Sequence, residues 1–151
     1  MELIQGSAEW LAIRCGKVTA SRMSDLMAKT KTGYGASRAN YLAELVAERL
    51  TGEPTEGFVN AAMQRGTMLE PEAREAYEFD TACTVEQVGF IPHPSIPMSG
   101  ASPDGLVGAD GMVEIKCPGT ANHIEALLTE TIPQKYLLQM RSEEHTSELQ
   151  S

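Results

Sequence analysis

The sequence has few cysteines and no long apolar run, and each shortage excludes a class of protein. Its cysteines, Cys15, Cys83 and Cys117, are widely spaced and form no C-x-x-C pair. They indicate reduced thiols in a cytoplasmic protein rather than a disulfide framework. No apolar stretch approaches the roughly 18 residues of a membrane span, and the first residues lack the pattern of a signal peptide. We therefore expect a cytoplasmic protein without a membrane partner.

Basic residues are also scarce. The 151 residues include 12 Lys and Arg against 21 Asp and Glu, a formal net charge of −9. This balance argues against a general nucleic-acid coat protein, but it does not exclude a local site that binds DNA through metal ions. The length and the hydrophobic fraction of 42% are typical of one globular domain.

The last eleven residues, 141–151, read RSEEHTSELQS. This string resembles the codon-by-codon translation of a common sequencing-library adapter. An acidic helix end capped by Ser142 is the alternative interpretation, and it is much less specific. We therefore expect residues 1–140 to be the N-terminal part of a single domain and residues 141–151 to be a non-native tail. The native gene product is expected to continue beyond residue 140.

Hydrophobic spacing and capping residues predict helices, then strands, then helices. Helices are expected near 7–15, from Ser37 to the stop at Gly52, and near 61–79, 121–129 and 134–140, with a short one around Met23 and a basic flexible loop at 29–35. A strand is expected at 84–91, and a hairpin is expected from 99–107, a turn at 108–111 and 112–116. This order predicts an α+β or α/β fold with a small sheet.

The predicted hairpin carries Asp104, Glu114 and Lys116. Asp104 and Glu114 flank a turn centred on position 109, so antiparallel pairing is expected to place them opposite each other, about 5 Å apart. Glu114 and Lys116 are two residues apart and leave the same face of their strand. Two close carboxylates need a proton or a cation between them, and oxygen ligands favour Mg²⁺, with Mn²⁺ as a substitute. The alternative is a plain turn and a surface ion pair.

A third acidic residue, Glu70, lies on a predicted helix. Three small or aromatic residues share its helical face: Gly66, Ala73 and Tyr77. A glutamate in such surroundings is expected to be partly buried and to need a partner. A metal ion shared with the hairpin would be that partner, and the alternative partner is Arg65 or Arg74.

Five strings of the sequence resemble the PD-(D/E)xK nucleases, and more narrowly the lambda-type exonucleases, also called YqaJ-like viral recombinases. The strings are 13–21 (IRCGKVTAS), 65–66 with 69–71 (RG and LEP), 102–105 (SPDG), 114–118 (EIKCP), and Tyr136 with Gln139. Each is weak alone, but all five occur in the family's order, over about residues 7–140. The resemblance implies a restriction-endonuclease-like core, with a small mixed sheet flanked by helices, that is incomplete at its C-terminus.

The resemblance also implies a metal site and a catalytic lysine. Asp104 and Glu114 would bind the metal ions, with the carbonyl of Ile115 as a further ligand. Glu70 would complete the second metal position. Lys116 would orient or deprotonate the attacking water, and its ordinary pKa makes orienting the better-supported role.

The other matching residues concern the substrate. Arg14, Ser21 and Ser102 match positions that hold a terminal 5′-phosphate, and Gln139 matches the glutamine of the family's following helix. The implied function is digestion of linear duplex DNA from its 5′ end, exposing a 3′ strand for a single-strand annealing protein, in the host cytoplasm. A ring-shaped homotrimer is an implied assembly of the full-length protein. Two alternatives stay open: a non-catalytic DNA-end-binding accessory module, and an endonuclease with the same core.

Overall fold

The computed structural model describes residues 4–55 and 60–147. The helices are α1 (Ala8–Arg14), α2 (Met23–Leu26), α3 (Ala36–Thr51), α4 (Ala61–Thr81), α5 (Thr120–Thr129) and α6 (Gln134–Ser147), with a 3-10 turn at Ala20–Arg22. The strands are β1 (Val18–Thr19), β2 (Lys29–Thr30), β3 (Gly33–Tyr34), β4 (Val85–Glu86), β5 (Ile91–Pro92), β6 (Ser99–Ala101), β7 (Gly105–Val107) and β8 (Gly111–Val113). The predicted mixture of helices and small sheets is confirmed.

The strands of the described residues form two three-stranded sheets and a separate pair. In the first sheet β6 lies between β1, which is parallel to it, and β5, which is antiparallel. In the second sheet β7 lies between β4 and β8, and both pairings are antiparallel. The remaining strands, β2 and β3, form a two-stranded hairpin within 29–35, so the prediction of a flexible loop there is wrong.

Both longer strand predictions, 84–91 and 99–107, are corrected in the same way. Each segment is divided into two short strands that belong to different sheets. The side-chain amide of Gln5 donates to the carbonyls of Val88 at 2.9 Å and Pro103 at 2.8 Å, one in each division. Pro103 also lacks an amide hydrogen for a sheet ladder. The chain therefore passes from one sheet to the other at residues 102–104.

The helix predictions agree with the structure at their starts better than at their ends. The hydroxyl of Ser7 accepts a hydrogen bond from the Trp10 amide and caps α1, as predicted. The third predicted helix ends at Gly52, whose φ of 74° is a left-handed helix stop. The last helix was expected to end at 140, but α6 continues to Ser147. Within that continuation Thr146 Oγ1 donates to the Ser142 carbonyl at 2.8 Å.

The apolar core is small and lies around α3 and the first sheet. Its buried apolar residues are Ala20, Tyr41, Leu45, Val85, Phe90 and Ala101. Large apolar side chains of α4 and α5 stay exposed, including Phe79 at 87% and Leu128 at 80%. None of the helices in the described ranges is both long and apolar enough to span a membrane.

Candidate active site

The hairpin of β7 and β8 sets the positions of the two predicted metal-binding carboxylates. Its register pairs Gly105 with Val113, so the predicted centre at position 109 is confirmed, and Asp104 and Glu114 are the next residues beyond the last paired position. Gly105 allows β4 to pack closely, because a Cβ at this position would lie 2.1 Å from Val85 Cγ1. Asp104 is therefore fixed at the point where the chain enters the second sheet.

Glu114 is a buried carboxylate with one satisfied and one unsatisfied oxygen. Its side chain is 4% exposed. Oε1 accepts hydrogen bonds from the Lys116 ammonium and from the Gln139 amide, whereas Oε2 is buried without a hydrogen-bond partner in the described residues. Burial raises the pKa of Glu114, and the charge of Asp104 raises it further. An oxygen in this condition needs a proton or a cation.

Asp104 is held by the strand that carries Glu114. Its Oδ2 accepts a hydrogen bond from the Ile115 amide at 2.6 Å. Burial raises the pKa of Asp104, while this hydrogen bond and the charge of Lys116 partly oppose the rise. The structure thus directs the Ile115 N–H at Asp104, and the role of the Ile115 carbonyl as a metal ligand stays a prediction.

Lys116 lies between the carboxylates and an aromatic ring. Its ammonium donates to Glu114 and lies 5.6 Å from the centroid of the Tyr136 ring. Burial opposes the positive charge, but the carboxylate of Glu114 outweighs burial and raises the pKa of Lys116. A lysine that keeps its proton donates hydrogen bonds and cannot accept a proton from water. This raised pKa agrees with a lysine that orients the water, and that role stays a prediction.

Glu70 has the alternative partner named above. Its Oε1 pairs with Arg74 Nη2 at 2.7 Å along α4, and Arg65 Nη1 ties the same helix to the Pro118 carbonyl at 3.1 Å. Burial raises the pKa of Glu70, and the negative charge of Asp104 adds to the rise. Glu70 is thus near enough to Asp104 to interact with it electrostatically, while its role as a metal ligand stays a prediction.

The carboxylates of Asp104 and Glu114 are the side chains of the site that could bind a hard divalent cation. Residues 4–55 and 60–147 contain no group of three or more His, Cys, Asp or Glu side chains arranged to hold a metal ion. They do contain Asp104 and Glu114 at facing positions, with the unpartnered Oε2 of Glu114 buried. Carboxylate oxygens are the ligands that Mg²⁺ prefers. The two residues fit such an ion through oxygen ligands.

The predicted 5′-phosphate residues lie beside these carboxylates. A cavity of about 150 Å³ is lined by Arg14, Ser21, Ser102, Asp104, Glu114, Lys116, Gln139 and Glu143, together with Gln5, Trp10 and Thr19. Arg14 Nη2 donates to Ser21 Oγ at 3.2 Å. Burial lowers the pKa of Arg14, and a guanidinium nevertheless stays charged in proteins. Seven of the nine predicted site residues line this one cavity, and the two that do not are Glu70 and Ile115. Ile115 is joined to this cavity only through its amide hydrogen bond to Asp104.

A second, larger cavity of about 640 Å³ begins on the other side of Glu114 and Lys116. It lies between α5 and α6, and its lining includes His123, Lys135 and Tyr136. Both cavities therefore share Glu114 and Lys116 in their linings.

Sequence reasoning missed one buried acid, Glu143. Its side chain is 1% exposed, Oε1 accepts from Gln139 Nε2 at 2.8 Å, and Oε2 has no hydrogen-bond partner in the part of the chain described. Burial, and then the charge of Glu114, raise the pKa of Glu143 to about 8. The available signal was its spacing of four residues from Gln139 on one helix face. That signal was not used, because residues 141–151 were set aside as a foreign tail.

The comparisons with known proteins identify the family of the chain. The family model described as YqaJ-like viral recombinase domain matches residues 9–150. Among solved structures, LHK-Exo in complex with dAMP is 51% identical with a TM-score of 0.86, over 94% of this chain and 69% of that one. An alkaline exonuclease structure, LHK-Exo from Laribacter hongkongensis, is also 51% identical with a TM-score of 0.83, over 93% of this chain and 68% of that one. No curated protein matches the sequence at a significant level. The resemblance seen in the sequence is confirmed, and the chain belongs to the family of YqaJ-like viral recombinase domains.

Proposed function

We propose that the chain is a metal-dependent DNA exonuclease of phage-type recombination. It hydrolyses phosphodiester bonds of linear duplex DNA from the 5′ end and exposes a 3′ single strand. The observation that carries this proposal is the shared cavity, in which Arg14, Ser21 and Ser102 lie beside Asp104 and Glu114. A terminal phosphate held there would place the next phosphodiester near the carboxylates. The similarity to LHK-Exo, an alkaline exonuclease solved with a nucleoside 5′-monophosphate, supports the same substrate class.

Asp104 and Glu114 would hold Mg²⁺, or Mn²⁺ in its place. The carbonyl of Ile115 and the carboxylate of Glu70 are the further ligands proposed. The unpartnered Oε2 of Glu114 supports this assignment, since a cation would satisfy it. When bound, the metal supplies positive charge that offsets the negative charge added to phosphorus by the attacking oxygen.

The protein's own residues bind and orient the reactants. Arg14 presents a planar set of donors to the terminal phosphate, and the hydroxyls of Ser21 and Ser102 add donors beside it. Lys116 donates a hydrogen bond to the attacking water and thereby fixes its direction. Gln139 donates to Glu114 and holds that carboxylate in place. The water oxygen bonds to phosphorus as the bond from phosphorus to the 3′ oxygen breaks. The water releases a proton to solvent, and the 3′ oxygen takes one from solvent.

This reaction regenerates its own binding group. The released nucleotide keeps its 5′-phosphate and gains a 3′-hydroxyl, while the shortened strand begins with a new 5′-phosphate. That phosphate is again a ligand for Arg14, so one site serves every step along the strand. An endonuclease would have no need of a terminal-phosphate site, and an accessory binding module would have no need of two buried carboxylates beside a lysine. The arrangement therefore favours the exonuclease over both alternatives.

The remaining assignments concern the setting of the enzyme. We place it in the host cytoplasm, with a single-strand annealing protein as the recipient of the 3′ strand and a homotrimer as the assembly of the full-length protein. Light scattering on the native gene product would measure that assembly. We also assign residues 141–151 to an adapter-derived tail, although α6 continues as far as Ser147. Resequencing the source gene tests this assignment, and native codons for RSEEHTSELQS would refute it.

The function is tested with linear duplex DNA carrying 5′-phosphates. We expect release of nucleotides that requires Mg²⁺ or Mn²⁺, stops with EDTA and is lost in Glu114→Gln. The matched control is Asp110→Asn, which alters an exposed carboxylate in the turn of the same hairpin and should leave the rate unchanged. Degradation that resists EDTA would refute the metal-dependent mechanism, and binding of duplex ends without any degradation would favour the accessory module.

A further inference from the structure

The indole of Trp10 contacts two of the three proposed 5′-phosphate residues and has no role in the function described so far. Its Nε1–H donates to Ser102 Oγ at 3.1 Å. The guanidinium carbon of Arg14 lies 3.8 Å from the centroid of its ring. Trp10 and Arg14 are four residues apart on α1, so they share a helix face, whereas Ser102 comes from the segment that joins the two sheets. One side chain therefore connects two distant parts of the cavity.

Arg14 is held by an aromatic ring and a hydroxyl rather than by a carboxylate. The salt bridges found in residues 4–55 and 60–147 do not include it, and its hydrogen bond to Ser21 uses one of the five donors of a guanidinium. An arginine without a carboxylate partner keeps its charge for an incoming anion. Stacking on the indole holds the guanidinium without neutralising it.

We infer that Trp10 is a positioning residue that fixes Arg14 and Ser102 for a terminal 5′-phosphate. The inference rests on the proposed function, because it assumes that this cavity receives that phosphate. An arginine side chain loses rotamer freedom when it binds a ligand, and prior stacking reduces that loss at the moment of binding. The hydrogen bond from Nε1 likewise occupies one of the two lone pairs of Ser102 Oγ, holds this oxygen in place and leaves its O–H free to donate toward the cavity.

Two substitutions separate the two contacts of the indole. Trp10→Phe keeps an aromatic face for Arg14 and removes the N–H donor, whereas Trp10→Leu removes both. The quantity to measure is the ratio of dissociation constants for 5′-hydroxyl and 5′-phosphate duplexes. We expect this ratio to fall about threefold to tenfold in Trp10→Phe, as for the loss of one hydrogen bond. It should fall by about tenfold or more in Trp10→Leu, with the melting temperature recorded for each variant.

Binding is measured by fluorescence anisotropy of labelled duplexes in EDTA, so that no strand is degraded. Arg14→Ala should abolish the phosphate preference, and Leu11→Ala, on the same helix with 45% exposure, should leave it unchanged. The wild-type chain offers a second readout, because Trp10 is its single tryptophan. The emission of Trp10 should change when dAMP is added and stay constant when deoxyadenosine is added at the same concentration.

The outcomes distinguish this inference from the function on which it rests. If Arg14→Ala loses the phosphate preference while a folded Trp10→Leu retains it, the positioning role is refuted and the phosphate site stands. If the wild-type protein shows neither a preference nor an emission change with dAMP, the phosphate site fails and the inference fails with it. Should Trp10→Leu not fold, Trp10→Phe decides, and a full wild-type preference in Trp10→Phe refutes the hydrogen-bonding role.

Discussion

Replacing Glu143 by glutamine should stabilise the metal-free protein in alkaline solution. Burial and the nearby charge of Glu114 raise the pKa of Glu143 from 4.5 to about 8 in the folded chain. Between these two pKa values the folded state binds more protons than the unfolded state, so stability falls as the pH rises through this range. At neutral pH, keeping this carboxyl protonated or burying its charge costs on the order of 3 kcal/mol. Glutamine has nearly the same shape and does not ionise.

The assay is urea unfolding in EDTA at about pH 5 and about pH 8.5, followed by circular dichroism. Near pH 5 the wild type and Glu143→Gln should be almost equally stable. At this pH the folded chain keeps Glu143 protonated at little cost in free energy, because the pH is close to the pKa of the unfolded chain. Near pH 8.5 the variant should be more stable by about 4–5 kcal/mol, a large fraction of the 5–15 kcal/mol typical of a domain. The quantity compared is the difference in free energy of unfolding between the wild type and the variant at each pH. This difference is needed because burial also raises the pKa values of Asp104 and Glu114, so the stability of both proteins depends on pH.

Glu125→Gln is the matched control, because it makes the same chemical change at an exposed position on α5. It should leave the pH dependence of stability as it is in the wild type. If Glu143→Gln and the wild type lose the same stability between about pH 5 and about pH 8.5, then Glu143 ionises as freely in the folded chain as in the unfolded one. The argument from its burial would then be wrong.

Three further predictions concern the site. Lys116→Ala should bind DNA almost as the wild type does, but it should cleave DNA slower by orders of magnitude in single-turnover experiments. Lys116→Arg should restore little of this rate. Recovery of most activity by arginine would instead indicate that Lys116 only balances charge. Arg14→Ala should slow digestion of 5′-phosphate duplex far more than of 5′-hydroxyl duplex, and an equal loss on both would make Arg14 a structural residue. Gly105→Ala should lower the free energy of unfolding by about 1–3 kcal/mol in urea titrations, because the Cβ of the alanine would lie 2.1 Å from Val85 Cγ1. An unchanged midpoint of unfolding would show that β4 moves away freely.

The sequence predicted the hairpin register because that register depends on few residues. The turn at 108–111 fixes the centre of symmetry, and the alternation of side chains then fixes which residues face each other. The ladder pairs of the structure follow that rule as far as Gly105 and Val113. The placement of Glu70 also needed only local information, since a helix with a period of 3.6 determines its face. Its pairing with Arg74 follows the same local rule, because residues four apart on a helix are neighbours, whereas Arg65 is five residues away.

The division of the strands could not be predicted, because it depends on contacts across the whole chain. Gln5 is 98 residues from Pro103 and 83 from Val88, and its amide bonds to both of their carbonyls. Apolar content alone gives 84–91 and 99–107 the appearance of continuous strands. The contact of Trp10 with Ser102 is of the same kind, as it joins residues 92 apart. A local pattern carries no information about such pairings, and it did not indicate Gln5.

The arrangement of hydrogen bonds around Gln139 links the two acids of the site. Its Nε2 donates to both Glu114 and Glu143, and an amide nitrogen has two hydrogens, so both are used. Each carboxylate is then left with a buried Oε2 that has no donor in the described residues. Burial is the main cause of the raised pKa of each acid, and the charge of Glu114 adds to the rise at Glu143. If a cation binds Glu114 as proposed, it offsets that charge and lowers the pKa of Glu143. Metal binding would then be coupled electrostatically to the ionisation of Glu143, although Glu143 itself need not touch the metal.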